Sequence, residues 1–289
     1  MGKVAIVTDS SVSIPDEILN QYDIKLVPLV FNLDNKTYRD LIDIRTGDEL
    51  FRLVDSSRNF PTTSAPPPGE YVEVYRSLAD RTDSIFNVTM SSNLSMTFKS
   101  ANQAKEEVQS ELPNLKVEIF DSKTTVGAMG LMVVAAAQAA AAGQNLTAIV
   151  KLGEKIRAKI NYLFMMDTLS YLARSGRISK AAALAGNMLS MKPITEISTE
   201  TGRPSVLARP RSKGKALQTL LDIMKERADT TKPIRLMIDH TGLVAEVEKL
   251  KETALNEFSC AEVLTCRYHP ISSLIVGPGG VGLSFYSDN

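Results

Sequence analysis

The sequence predicts an α/β protein of two domains, a parallel-sheet domain followed by a mixed-sheet one. Three observations carry this. The chain has 289 residues, too many for one small domain and suited to two of ordinary size. Apolar, β-rich runs alternate with helical patterns, the order of βαβ units. The formal charge of zero also conceals a split: residues 1–150 hold 13 basic and 19 acidic side chains, whereas residues 151–289 hold 20 and 14. At 44% hydrophobic and 23% charged, the composition excludes disorder, collagen-like repeats and coiled coil.

The first domain is read from three repeats of strand, polar loop and helix. Lys3-Val4-Ala5-Ile6-Val7 is followed by Thr8-Asp9-Ser10-Ser11 and a helix start at Ile14-Pro15-Asp16-Glu17, with acids in its first turn. Ser84–Val88 leads to Thr89-Met90-Ser91-Ser92-Asn93-Leu94-Ser95 and a helix through Lys99 and Glu107. Lys116–Phe120 leads to Asp121-Ser122-Lys123-Thr124-Thr125 and an Ala-rich helix. Together these predict a Rossmann-like parallel sheet, with the three hydroxyl-rich loops beyond its C-terminal strand ends, where such sheets bind ligands.

The second domain is read from helical stretches at Thr147–Lys159 and Ala181–Leu189, a strand at Lys192–Ile197, and a turn at Thr201-Gly202-Arg203-Pro204 into Ser205–Arg209. Helix Ala216–Arg227, strand Ile234–Ile238, helix Val244–Phe258 and strand Val263–Tyr268 follow, and a Gly-broken apolar end runs from Ile271 to Tyr286. The boundary is expected near residues 150–160, where the charge balance also changes sign, giving domains 1–155 and 156–289.

No signal segment is expected, because Asp9 ends the first apolar run, and the cytosol is the expected compartment. The longest apolar stretch, Val126 to Ala142, is mostly Ala and interrupted by Gln138; it reads as a buried helix rather than a membrane span. Cys260 and Cys266 are too few for a disulfide framework and read as reduced structural thiols.

Catalytic and nucleotide motifs are largely excluded. Gly277-Pro278-Gly279-Gly280-Val281-Gly282 satisfies G-x-G-x-x-G, but it lies near the chain's end and not between a strand and a helix, so it is set aside. Neither a P-loop nor a G-x-S-x-G elbow occurs. His240 and His269 have no partner at metal spacing, and Cys266 with His269 lacks a third, orienting group. The basic run of Arg203, Arg209, Arg211, Lys213 and Lys215 has no interleaved aromatics and sits in a neutral chain, so nucleic acid is not expected.

What stands out is the density of hydroxyls. Pro61-Thr62-Thr63-Ser64-Ala65-Pro66-Pro67-Pro68 reads as a stiff loop that opens a helix, since its prolines fix φ and restrict their neighbours. Ser91–Ser95 falls at a helix N-terminus, where free N–H groups favour an anion. Neutral hydroxyls without an Arg fork suit a small acid head better than a polyphosphate. Capping and turn formation alone would account for the same residues.

At these loops the sequence resembles the DegV family of bacterial fatty-acid-binding proteins. The ordered segments are Val7-Thr8-Asp9-Ser10, Pro61–Ser64, Ser91–Thr97, Asp121-Ser122-Lys123, Asp167-Thr168-Leu169 with Ser175–Ile178, Lys192-Pro193-Ile194, Arg211 with Lys213–Ala216, and Gly277-Pro278-Gly279. The resemblance implies a long-chain fatty acid in an apolar tunnel between or beside the domains, with no other cofactor. Thr63 and Ser95 would hold its carboxylate. Thr62, Ser64 and Ser92 from the hydroxyl loops, with Arg211, Gly277 and Gly279, complete the candidate list. The resemblance further implies a carrier, not a catalyst, that presents the acid to a fatty acid kinase. Two positions depart from the family pattern: Met96 replaces a usual Gly and is expected to narrow the head-group end or shift the loop, and Ile275 replaces a usual His. The competing expectation is an enzyme acting on a small phosphorylated or acidic substrate, with Asp9 or Asp121 as general base. The basic half, including Arg174, Arg177 and Arg211, is expected to steer the anionic head or an acidic partner toward the cleft.

Overall fold

A computed structural model describes residues 4–178 and 191–288; the helix expected at 181–189 lies outside them. The first half is built on a parallel sheet in the order β2-β1-β6-β7. Its strands are β1 (Val4–Asp9), β2 (Lys25–Val27), β6 (Ser84–Thr89) and β7 (Lys116–Asp121), and helices α1 (Asp16–Gln21), α3 (Pro68–Ala79) and α4 (Thr97–Glu111) belong to the same half. β1 and β6 are buried almost throughout, as strands covered on both faces must be.

A second, mixed sheet has the order β10-β9-β8-β13-β11-β12. It comprises β8 (Asn161–Met165), β9 (Ile194–Ser198), β10 (Arg203–Ala208), β11 (Ile234–His240), β12 (Cys260–Arg267) and β13 (Val281–Ser287). Only β11 and β12 pair in parallel; the other contacts are antiparallel. Its helices include α7 (Ser170–Arg174), α8 (Lys213–Arg227), α9 (Val244–Glu257) and α10 (Pro270–Val276). The two sheets match the predicted α/β architecture.

Between them lies α5 (Val126–Ala141), followed by α6 (Leu146–Arg157). Small side chains let α5 approach strands closely on both sides, and apart from Gln138 and the terminal Ala141 it is buried. It packs on β1 and β6 of the parallel sheet and on β8, β11 and β13 of the mixed one. The largest apolar cluster accordingly runs from Val4 and Phe86 through α5 to Tyr162 and Tyr286.

Several elements were not predicted. A three-stranded antiparallel sheet joins β3 (Val30–Leu33), β4 (Lys36–Arg39) and β5 (Thr62–Ser64). The stiff loop expected at Thr62–Ser64 is therefore a short strand, with Thr63 opposite Phe31; its prolines flank the pairing, and Pro68 opens α3. Helix α2 (Gly47–Asp55) was also missed, although Thr46 and Glu49 form a reciprocal capping box. The Gly277–Gly282 motif follows helix α10 and precedes strand β13, the reverse of the order a dinucleotide fingerprint needs.

Candidate ligand-binding site

The sheets and the small antiparallel layer surround a mostly apolar cavity that opens to solvent at its mouth. One side is supplied by Leu29, Met90, Leu94 and Val126, the other by Tyr162, Phe164, Ile197 and Ile275. Polar groups enter in two sets.

The first set centres on Thr63 and Arg177, with Ser64 and Ser95 lining the same cavity. Thr63 sits on β5, and its Oγ1 accepts a hydrogen bond from Arg177 Nη2 at 2.7 Å. Arg177 Nη1 donates to the Ser175 carbonyl at 2.6 Å, reached through the turn at Gly176, whose φ is +78°. Ser95 is anchored at the start of α4, where its Oγ lies 2.6 Å from Thr97 Oγ1 and accepts from the Thr97 N–H at 3.3 Å. Arg177 is half-buried, and burial pushes its pKa down. Among the described residues no carboxylate stands within ion-pair distance of it. A desolvated cation without an acid favours an incoming anion. The sequence placed Arg177 on a steering face and did not bring it to Thr63.

The second set is Ser11, Thr125 and Ser272. Thr125 Oγ1 donates to Ser11 Oγ at 3.2 Å, Ser272 Oγ donates to the Ser11 carbonyl at 3.2 Å, and Ser11 Oγ donates to Asp9. Asp9 also accepts the N–H groups of Ser11 and Met90. Burial raises its pKa, and these bonds offset part of the rise. Beside it Asp40 accepts from Ser10 Oγ at 2.7 Å and the Ile271 N–H at 3.2 Å; burial pushes it up to about 7.

The other candidates lie elsewhere. Thr62 is exposed and Arg211 is exposed, and neither lines the cavity. Ser92 is engaged by Asp121, which accepts its N–H at 3.1 Å and its hydroxyl at 2.6 Å. Gly277 and Gly279, at φ of +82° and +78°, provide close approach: a Cβ on either would strike the Tyr171 ring or the Asp167 carboxylate. Asp9 and Asp121, the bases of the enzyme reading, brace loops and do not line the cavity. Met96 does not line the cavity; it stands at the N-terminus of α4 and is 59% exposed. Ile275 does line the cavity, while His269 caps α10 with Nδ1 3.0 Å from the Ser10 carbonyl. Cys260 and Cys266 are free thiols. Cys266 Sγ is bonded to the Arg267 carbonyl and not to His269. No cluster of three or more His, Cys, Asp or Glu able to hold a metal occurs among the described residues, and none of their helices is long and apolar enough to cross a membrane.

Two α/β layers around a partly open apolar cavity with a hydroxyl-and-arginine edge define a two-sheet α/β protein built around an internal pocket. The DegV family model, described as an uncharacterised protein family, matches residues 3–288. The chain belongs to the DegV family. A DegV domain-containing protein of Clostridium acetobutylicum is 30% identical over 99% of this chain and 98% of its own. Among solved structures, a Thermus thermophilus DegV family protein described by its fatty acid binding superposes with a TM-score of 0.90. It is 30% identical, covering 99% of this chain and 100% of that one. The DegV fatty acid binding protein of Bacillus subtilis gives 0.86 at 28% identity, covering both chains fully.

Proposed function

We propose that this protein binds one long-chain fatty acid, with its carboxylate at Thr63, Ser95 and Arg177 and its tail along the apolar cavity. The observation that carries the reading is Arg177, a half-buried cation with no acid partner among the described residues, bonded to a cavity hydroxyl. Burying each CH₂ contributes about 0.8 kcal/mol, so a long tail supplies most of the affinity and a small polar clamp sets the orientation. The fatty acid binding described for the Thermus and Bacillus proteins supports the same ligand class.

The role we propose is that of a cytosolic carrier and not a catalyst. Residues 1–155 supply the hydroxyls and residues 156–289 close the tunnel and supply Arg177. Asp9 and Asp121, the carboxylates an enzyme would need, are engaged in holding loops. The carrier would hand its acid to a fatty acid kinase. Ile275, in place of the family's usual His, makes this edge depend on Arg177 and the hydroxyls. Native mass spectrometry of the purified protein, followed by titration with palmitate and oleate, tests the reading. One acyl chain per protein is expected; no co-purifying acyl ligand together with no binding of either acid overturns it.

A further inference from the structure

Directly behind the cavity wall lies a buried acid that the proposed clamp does not use. Asp239, on β11, is fully buried, and neither of its carboxyl oxygens has a hydrogen-bond partner among the described residues. Ser13 Oγ and Ser284 Oγ beside it are likewise buried without partners. The surroundings are shaped to admit it. A Cβ on Gly127, in the first turn of α5, would collide with Asp239 Oδ2 and lie 2.8 Å from Met237 Cγ and 2.9 Å from Ser284 Oγ. A Cβ on Gly282 would strike the Tyr268 hydroxyl and lie 3.1 Å from the Tyr162 ring and 3.3 Å from Asp239 Oδ2. One glycine belongs to α5 and the other to β13, so Asp239 fills a joint between the helix and the mixed sheet.

The joint reaches the cavity at two places. Thr125 and Val126, immediately before Gly127, line it, and Val126 holds a φ of +53°. That conformation is strained for a β-branched side chain and persists only where its surroundings impose it. A bridge to Val12 holds this turn, and Asp239 packs against Gly127, the next residue. Tyr162, which also lines the cavity, has its hydroxyl 3.2 Å from that of Tyr268.

We propose that Asp239 is a positioning residue for the cavity: it seats the first turn of α5 on the mixed sheet and fixes the wall formed by Thr125, Val126 and Tyr162. This rests on the acyl-binding reading above. The groups facing it are the Ser13 hydroxyl, the Gly127 N–H, the Ser284 hydroxyl, the phenols of Tyr162 and Tyr268, and the Cys266 thiol. All are uncharged at neutral pH, burial having raised both phenols and the thiol. Burial pushes Asp239 itself up to about 8.

The test compares the wild type with Asp239→Asn, which is nearly isosteric and cannot ionise, and with Asp239→Leu. Because the folded acid is raised above its ordinary 3.8, stability is fully present below about pH 4 and is lost as pH rises toward 8. The unfolding equilibrium of the wild type should therefore gain on that of Asp239→Asn by up to about tenfold per pH unit across that range, and no further above it. Titration with a fluorescent fatty acid, ionised throughout, should show wild-type affinity falling at least threefold between pH 6.5 and 9, with Asp239→Asn constant within twofold and Asp239→Leu weakened at both. Parallel pH profiles for wild type and Asp239→Asn, in unfolding or in binding, overturn the proposal. If the wild type binds no acid, the acyl reading fails, and the unfolding comparison still decides the state of Asp239. If Asp239→Leu does not fold, the two profiles of Asp239→Asn decide the outcome.

Discussion

The two polar edges of the cavity are made of similar residues and spend them differently. At Ser11, Thr125 and Ser272 the hydroxyls bond to one another, to a main-chain carbonyl and to Asp9, with Asp40 tied in close behind. That edge is a closed lattice joining the β1 loop to α10, and its bonding capacity is used in holding the fold. At Thr63, Ser95 and Arg177 the only cation meets hydroxyl and carbonyl oxygens and no acid among the described residues. Charge left uncompensated at a cavity, and not the number of hydroxyls, separates a ligand edge from a structural one.

The sharpest way to break this contrast is to neutralise the lattice. Asp40 is raised from 3.8 to about 7 chiefly by burial, so its stabilising neutral form is fully favoured below about pH 4 and is lost as pH rises toward 7. Asp40→Asn should remove up to about tenfold per pH unit from the pH dependence of unfolding over that range, measured by denaturant titration, while acid affinity at fixed pH stays within about threefold. Arg177→Met should do the reverse. It should weaken acid binding by about 10- to 100-fold, the worth of a hydrogen bond to a charged group, with an unfolding midpoint close to wild type; calorimetric titration and thermal melts read both. Thr63→Ala combined with Ser95→Ala should weaken binding about tenfold without unfolding the protein, and an unchanged affinity would reject those two as the clamp. Ser272→Ala should cost about 1 kcal/mol of stability and leave affinity within twofold. The smallest expected effect is on kinetics: if the basic half steers the anionic head, the association rate should fall a few-fold as salt rises. A salt-independent rate would confine Arg177 to a contact role.

Much of the architecture was legible because its signals are continuous. β1, β6 and β7 are apolar runs ending in hydroxyl loops, and α5 is a long apolar stretch, broken only by Gln138, whose near-complete burial follows from its composition. The three strands between Val30 and Ser64 were not read as strands, because three or four residues carry too little periodicity. Asp34 and Asn35, both at positive φ, mark the hairpin and were the available signal. At the site, the hydroxyl segments were visible as local composition, and Ser95 and Thr63 do line the cavity. Arg177 could not be placed by local pattern: its bond to Thr63 spans 114 residues, and its missing acid partner is a property of the fold. Asp239 was invisible for the same reason, since its cradle is assembled from Gly127 and Gly282 on different elements.

The helix sandwiched between the sheets also governs how the molecule comes apart. α5 is buried by strands from both sheets, so neither half can be removed without baring its apolar surface. Separated at the chain midpoint, each half would carry an exposed face large enough to drive aggregation. Heat or denaturant should instead take both halves apart together, since α5 packs on strands of each. Any opening that admits a ligand must then be small and local, leaving this helix in place.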